Sequence, residues 1–217
     1  MAGDGRGPDV SAMRRSYAAA GLTEANLAPD WLTQFTRWLA DAVTAELAEP
    51  NAMVLATADA DGRPSARTVL LKGYDAAGLV FFTNYDSRKG SELAANPRAA
   101  AVFPWIALSR QVVVTGDVRP VERAESERYF HSRPHGSQVG AAASPQSRVI
   151  GSRAELDDAW ARVEGAHPDE VPLPERWGGF RLEPLTVEFW QGQTARLHDR
   201  LRFRRTGSTW VVERLAP

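Results

Sequence analysis

The chain contains no cysteine. That absence excludes disulfides, thiolate catalysis and thiolate-held metals together. No apolar run approaches the ~20 residues that a helix needs to cross a bilayer, and no leader-like hydrophobic stretch follows the N-terminus. An excess of charge of either sign is missing too: 26 Lys+Arg against 27 Asp+Glu leave a formal net charge of −1. No global field then favours nucleic acid or a membrane surface, so any anion binding must come from local arginine clusters. A cytoplasmic protein without nucleic-acid or membrane partners is expected. At 217 residues the chain can bury a full core.

What is present reads as many short strands with attached helices. Residues 1–12 are rich in Gly and Asp, with little to bury, and are expected to form a disordered tail. Residues 13–217 show no linker or repeat and are expected to form a single domain. Asp30 can cap a helix with Trp31, Phe35, Trp38, Leu39 and Leu47 at helical spacing, and Pro50 is expected to end it. Strands are expected at 53–58 and 66–72, joined across the hairpin signal Asp61-Gly62. Further strands are expected at 79–83, 99–105, 111–118, 179–190, 196–204 and 209–214. Ser87 reads as the cap of a short helix ended by Asn96-Pro97, and a helix over 121–131 stops near Pro134. Ser152 and Glu155 open one more as a capping box. Such a pattern is mainly β with flanking helices (α+β), and argues for a barrel.

Several polar groups stand out against this frame. Arg67 and Lys72 bracket an apolar strand; unpaired burial of either is costly, and both can also snorkel to solvent. Ser87-Arg88-Lys89 opens a helix, where free N–H groups favour a phosphate. Tyr129 and Arg133 are four apart and share a face if the helix persists, with Ser137 just beyond the break at Pro134. These three could clamp a second phosphate, or Arg133 and His131 could merely serve the helix end. His131 and His135 lack a completing carboxylate, and Pro134 between them spoils a helical metal pair, so no metal site is expected. Arg196, His198 and Arg200 alternate in the last expected strands and would share one face, with Leu197, Leu201 and Phe203 on the other. With Trp190 nearby, that face suits a planar anion; it is equally readable as a solvated basic edge.

Trp190-Gln191 with Arg196-Leu197-His198-Asp199-Arg200 resembles the C-terminal signature of the FMN-dependent pyridoxine/pyridoxamine 5′-phosphate oxidases. Arg67 to Lys72, Phe82-Thr83, Ser87-Arg88-Lys89, Phe103-Pro104-Trp105, Arg110-Gln111, Tyr129 to Pro134, Gln146-Ser147 and Arg214 to Pro217 resemble that family in the same order. The likeness spans about Trp31 to Pro217. It implies an FMN-binding split β-barrel, and a homodimer with FMN at the subunit interface. It also implies oxidation of pyridoxamine or pyridoxine 5′-phosphate by O2 to pyridoxal 5′-phosphate, with release of H2O2 and, from the amine, NH3.

The same resemblance assigns roles to residues. FMN would contact Arg67, Thr68, Val69, Leu70, Leu71, Lys72, Phe82, Thr83, Arg88, Lys89, Gln111, Gln146, Ser147, Trp190 and Arg200. Lys72, Tyr129, Arg133 and Ser137 would hold the substrate phosphate. Arg196 and His198 would sit at the reacting side, Arg196 positioning the substrate and His198 orienting its ring. Arg14, Arg15 and Tyr17 resemble a segment that closes over the substrate. Phe82 departs from a frequent tyrosine, Ala142 from a tryptophan, and Glu49 from an aspartate before Pro50. Two rival functions are a phenazine-type aromatic flavin oxidase and a non-catalytic flavin-binding protein. Retention of the whole phosphate clamp argues against the first, and retention of Arg196 and His198 against the second.

Overall fold

The apolar spacing of Trp31, Phe35 and Trp38 becomes the buried face of α1 (Trp31–Thr44). Its cap is Asp30, whose carboxylate accepts the Thr33 N–H at 2.8 Å. This is a computed structural model, and it describes residues 21–217. The expected tail over 1–12, and the roles given to Arg14, Arg15 and Tyr17, therefore lie outside the described residues. One expectation fails at once: α1 stops at Thr44, before Pro50 is reached. The chain instead turns out through Glu46 and Glu49, both in the left-handed region with φ of 53° and 47°.

Strands β1 (Ala52–Ala58), β2 (Pro64–Leu70), β3 (Gly73–Asp75) and β4 (Gly78–Asn84) follow, with Gly62 at φ 81° in the β1–β2 hairpin. After α2 (Arg88–Ala95) come β5 (Arg98–Trp105) and β6 (Arg110–Pro120). Three helices then intervene: α3 (Arg123–His131), α4 (His135–Ala143) and α5 (Arg153–Ala166). The chain closes with β7 (Trp177–Gln191), β8 (Asp199–Thr206) and β9 (Thr209–Arg214). The strand order is β2-β1-β5-β6-β7-β4-β3, with β8 on β7 and β9 on β8; the paired neighbours run antiparallel. Beyond β2 the Lys72 N–H donates to the Val80 carbonyl of β4 at 2.8 Å, which curls the two sides of the sheet toward closure. The expected mainly-β barrel with flanking helices is what forms.

Alternation explains the core. Met53 and Leu55 of β1, Val112 and Val114 of β6, and Val187 and Phe189 of β7 point inward, and α1 lies over them. Phe35 meets Phe103 and Tyr74 edge-on, at 5.0 and 5.2 Å between ring centroids. A second cluster forms where Phe130, Val139, Val171 and Trp177 pack beneath the α3–α4 helices.

Strand β7 pairs with β6 from Phe180 to Gln191 but changes its other partner. Trp177–Leu182 pairs with β4, and Thr186–Gln191 with β8. The register slips between Thr115 and Gly116 of β6 at this changeover. A Cβ on Gly116 would lie 1.9 Å from the Glu183 carbonyl oxygen, so only glycine permits the approach.

The C-terminal signature departs from its expected strand. Thr194–Arg196 is a 3₁₀ turn, with Ala195 and Arg196 at φ 54° and 62°, and β8 begins only at Asp199. Arg196 and His198 thus do not alternate with Arg200 along a strand. Leu197, expected on the apolar face, is 72% exposed, whereas Leu201 and Phe203 are buried as the alternation requires. Helix α4 was not legible either: it is built largely of Gly and Ala, and its N-cap Pro134 offers no side-chain acceptor. Among the described residues no helix is long and apolar enough to cross a membrane.

Candidate functional site

A cavity of about 670 Å³ opens between β2, β4, α2, the α3–α4 pair and the start of β7. Thr68, Val69, Leu70 and Lys72 line it from β2 and its end, Phe82 and Thr83 from β4, and Lys89 from α2. Tyr129, Arg133, Ser137, Gln146 and Trp177 complete much of the wall. The sequence placed eleven of these twelve residues in one site and missed Trp177.

At one end the lysine of α2 is buried among neutral acceptors. Lys89 Nζ donates to Thr83 Oγ1 at 3.0 Å and to Gln146 Oε1 at 3.1 Å. Burial, and then the neighbouring Arg67, pull its pKa down to about 8. Ser87 caps the helix through its contact with the Gly90 N–H, so the helix N-terminus opens beside this ammonium. A buried cation that has hydroxyl and amide partners but, among the described residues, no carboxylate is suited to a phosphate. The phosphate of the FMN implied by the resemblance fits here.

Behind Lys89 stands a carboxylate that the sequence reading missed. Glu92, 6% exposed, accepts from Arg88 Nε at 2.8 Å, Ser65 Oγ at 2.5 Å and Thr57 Oγ1, and pairs with Arg67 at 3.3 Å. Burial pushes its pKa up, but hydrogen bonds from Ser65, Thr57 and Arg88 and the charge of Arg67 outweigh it, leaving about 2. Arg67 also donates to the Leu55 carbonyl, Thr57 and Ser65. The only sequence signal of Glu92 was its place one helical turn after Arg88. Arg67 and Arg88 do not themselves line the cavity; Arg88 is 62% exposed in its side chain.

The other end is built on aromatic rings. Phe82 stacks on Tyr129 at 4.1 Å and on Trp177 at 5.5 Å. The Arg133 guanidinium lies 4.9 Å over Trp177 and 5.6 Å over Phe130. Helix α3 ends at His131, so it does not persist far enough for Tyr129 and Arg133 to share its face. A turn in which the Arg133 N–H donates to the Phe130 carbonyl still keeps Arg133 at the cavity. Pro134, whose ring nitrogen has no proton to donate, separates it from α4. Arg133 Nη2 donates to the Ser137 carbonyl at 2.6 Å, while its buried Nη1 has no partner among the described residues. Burial lowers its pKa. An unpaired, desolvated guanidinium nitrogen beside a hydroxyl and a phenol calls for a second oxyanion.

The remaining assigned residues lie elsewhere. Leu71 is buried in the core, and Ser147, at φ 71°, is exposed; neither lines the cavity. Gln111, Trp190 and Arg200 stand abreast on β6, β7 and β8. His198 lies 4.7 Å from Trp190, and its Nδ1 accepts the Gln193 N–H at 3.0 Å, which places the proton of the neutral ring on Nε2. Glu188 grips Arg200 at 2.7 and 3.0 Å. None of Gln111, Trp190, Arg196, His198 and Arg200 lines the cavity of the same chain. Of the two histidines weighed as metal ligands, His131 pairs with Glu170 and His135 contacts the His167 carbonyl.

Curled sheet and two-ended cavity together define a split-barrel protein with a cationic seat at each end of one cavity. The family profile described as pyridoxamine 5′-phosphate oxidase matches residues 39–167, and that of the pyridoxine 5′-phosphate oxidase C-terminal dimerisation region matches 177–217. The chain belongs to the pyridoxamine 5′-phosphate oxidase family. It is 65% identical to the pyridoxine/pyridoxamine 5′-phosphate oxidase of Salinispora arenicola, over 94% of this chain and 95% of the relative. It is 56% identical to the protein of that name from a Nocardioides species, over 96% and 98%. Among solved structures, PhzG of Burkholderia lata in complex with tetrahydrophenazine-1-carboxylic acid is 35% identical, with a TM-score of 0.85 over 89% of this chain and 95% of that one. An FMN-binding protein of Nostoc punctiforme, 18% identical with a TM-score of 0.70 over 88% and 100%, shares the fold.

Proposed function

We propose that this chain oxidises pyridoxamine and pyridoxine 5′-phosphates with FMN and O2, yielding pyridoxal 5′-phosphate and H2O2, and NH3 from the amine. One observation carries the reading: a single cavity offers two separate oxyanion seats, one at Lys89 and one at Arg133. A phosphorylated flavin and a phosphorylated substrate use both. A carboxylated phenazine precursor has no phosphate for a clamp of this composition. The names of the Salinispora and Nocardioides relatives support the same choice.

FMN, when bound, would supply the redox chemistry between the substrate and O2. The chain's own work is placement. Lys89 and Thr83, with Arg67 and Arg88 behind them, hold the cofactor phosphate, and Gln146 offers its amide to the cofactor. Arg133, Tyr129, Ser137 and Lys72 fix the substrate phosphate and so orient its ring. Arg196 positions the reacting carbon, and His198, its tautomer set by the Gln193 N–H, orients the ring. We assign these last two, with Gln111, Trp190 and Arg200, to the site of a partner chain in a homodimer. The dimerisation name of the matched C-terminal region supports that assembly. The test is direct: purified protein is incubated in air with FMN and pyridoxamine 5′-phosphate, and aldehyde and peroxide are measured. Formation of neither product in the presence of bound flavin rejects the reading.

A further inference from the structure

Three cations, Arg67, Arg88 and Lys89, crowd the helix-capped end of the cavity, and Glu92 is the carboxylate among them. Together they leave two net positive charges, the complement of a phosphomonoester dianion. Two features set Glu92 apart from an ordinary helix-surface partner of Arg88. It is buried, and it is gripped from three elements: Thr57 on β1, Ser65 and Arg67 on β2, and Arg88 on α2. Arg67 is itself 21% exposed in its side chain, so without a counter-charge it would be a poorly solvated cation in the free protein.

We propose that Glu92 is a placeholder counter-ion and positioning residue for the cofactor phosphate. It holds Arg67 and Arg88 in place while the phosphate is absent, and shares them when the phosphate arrives. The inference rests on the FMN reading given above. Glu92 therefore stabilises the free protein more than the loaded one, and restrains cofactor affinity in exchange for a preformed site. A carboxylate that merely braces the fold would stabilise both forms equally.

Thermal unfolding of the full chain, with and without FMN, separates these cases for wild type and Glu92→Gln. Riboflavin, which lacks the phosphate, is the control. For the variant we expect a free-form Tm several degrees lower, but a rise on adding FMN that exceeds the wild-type rise by about 4 °C. Flavin fluorescence should show FMN bound about tenfold more tightly. Equal lowering of the free and loaded forms, or weaker FMN binding by the variant, would overturn the proposal. Absence of any wild-type response to FMN would instead overturn the cofactor reading beneath it. Should the variant fail to fold without flavin, it is refolded with flavin present. Recovery with FMN and not with riboflavin supports the placeholder, and failure with both rejects it.

Discussion

At the Lys89 end of the cavity positive charge is partly offset inside the protein, because Glu92 draws on Arg67 and Arg88 while neutral oxygens surround the ammonium. At the Arg133 end no carboxylate takes part among the described residues; the guanidinium rests on Trp177 and Phe130 with one nitrogen unpaired. The first arrangement is a rigid seat made by two strands and a helix N-terminus. The second is a polarised bed whose cation remains short of partners until an anion comes. A resident cofactor suits the first and an exchanging substrate the second. The difference lies in how each end supports its charge before the ligand is present.

Removing Arg133 should break this contrast most strongly. Each charged hydrogen bond to a phosphate contributes about 1.5–3 kcal/mol, so Arg133→Ala should raise the KM for pyridoxamine 5′-phosphate roughly ten- to a hundredfold. Bound FMN, followed by its absorbance after gel filtration, should remain. Loss of flavin in parallel would mean that the two ends are one structural unit.

The pH dependence of FMN binding sharpens the comparison next. In the free protein Lys89 loses its proton near pH 8, whereas the unfolded chain keeps it to 10.5. The folded free protein therefore binds fewer protons than the unfolded one between these values, and the penalty for burying the charge fades as pH rises through that window. A phosphate requires the charged lysine. FMN affinity should thus fall about tenfold from pH 7 to pH 9, with proton uptake on binding at the upper end, measurable by calorimetry in buffers of different ionisation enthalpy. An FMN Kd that is flat across this range would remove Lys89 from the phosphate seat. Substrate affinity should show no such Lys89 step.

Smaller effects are expected at the margins. Phe82→Leu removes stacking on both Tyr129 and Trp177, where each aromatic pair contributes about 0.5–1.5 kcal/mol. It should raise the substrate KM several-fold by loosening Tyr129, with less change in FMN affinity; the reverse order would place Phe82 at the cofactor end. Arg88→Ala should be mildest, since its side chain is 62% exposed. We expect FMN binding weakened roughly three- to fivefold, with full turnover restored by excess flavin.

Much of this was legible in the sequence because the signals were local. Asp30, Ser87 and Ser152 cap the helices that their spacing announced. Strict alternation located the buried faces of β1 and β6. What could not be read depends on distant partners. Glu92 looks like a solvated helix residue until β1 and β2 are laid over it. Trp177 gains its role only because Arg133 and Phe82 meet it from other elements. The 3₁₀ turn at Arg196 carries no glycine at its two left-handed positions, so period-two alternation continued through it unopposed.

The length of β7 bears on how a site can be shared. Trp177 stands at its first residue and Trp190 next to its last, thirteen steps apart on a continuous strand. At about 3.3 Å per residue that separation is roughly 40 Å, somewhat less with the bulge. No mononucleotide is that long. The strand acts as a spacer bar, holding one indole at a cavity and carrying the other away from it. A ligand that touches both tryptophans must take them from different copies of the chain, and each copy could then contribute to two such sites at once.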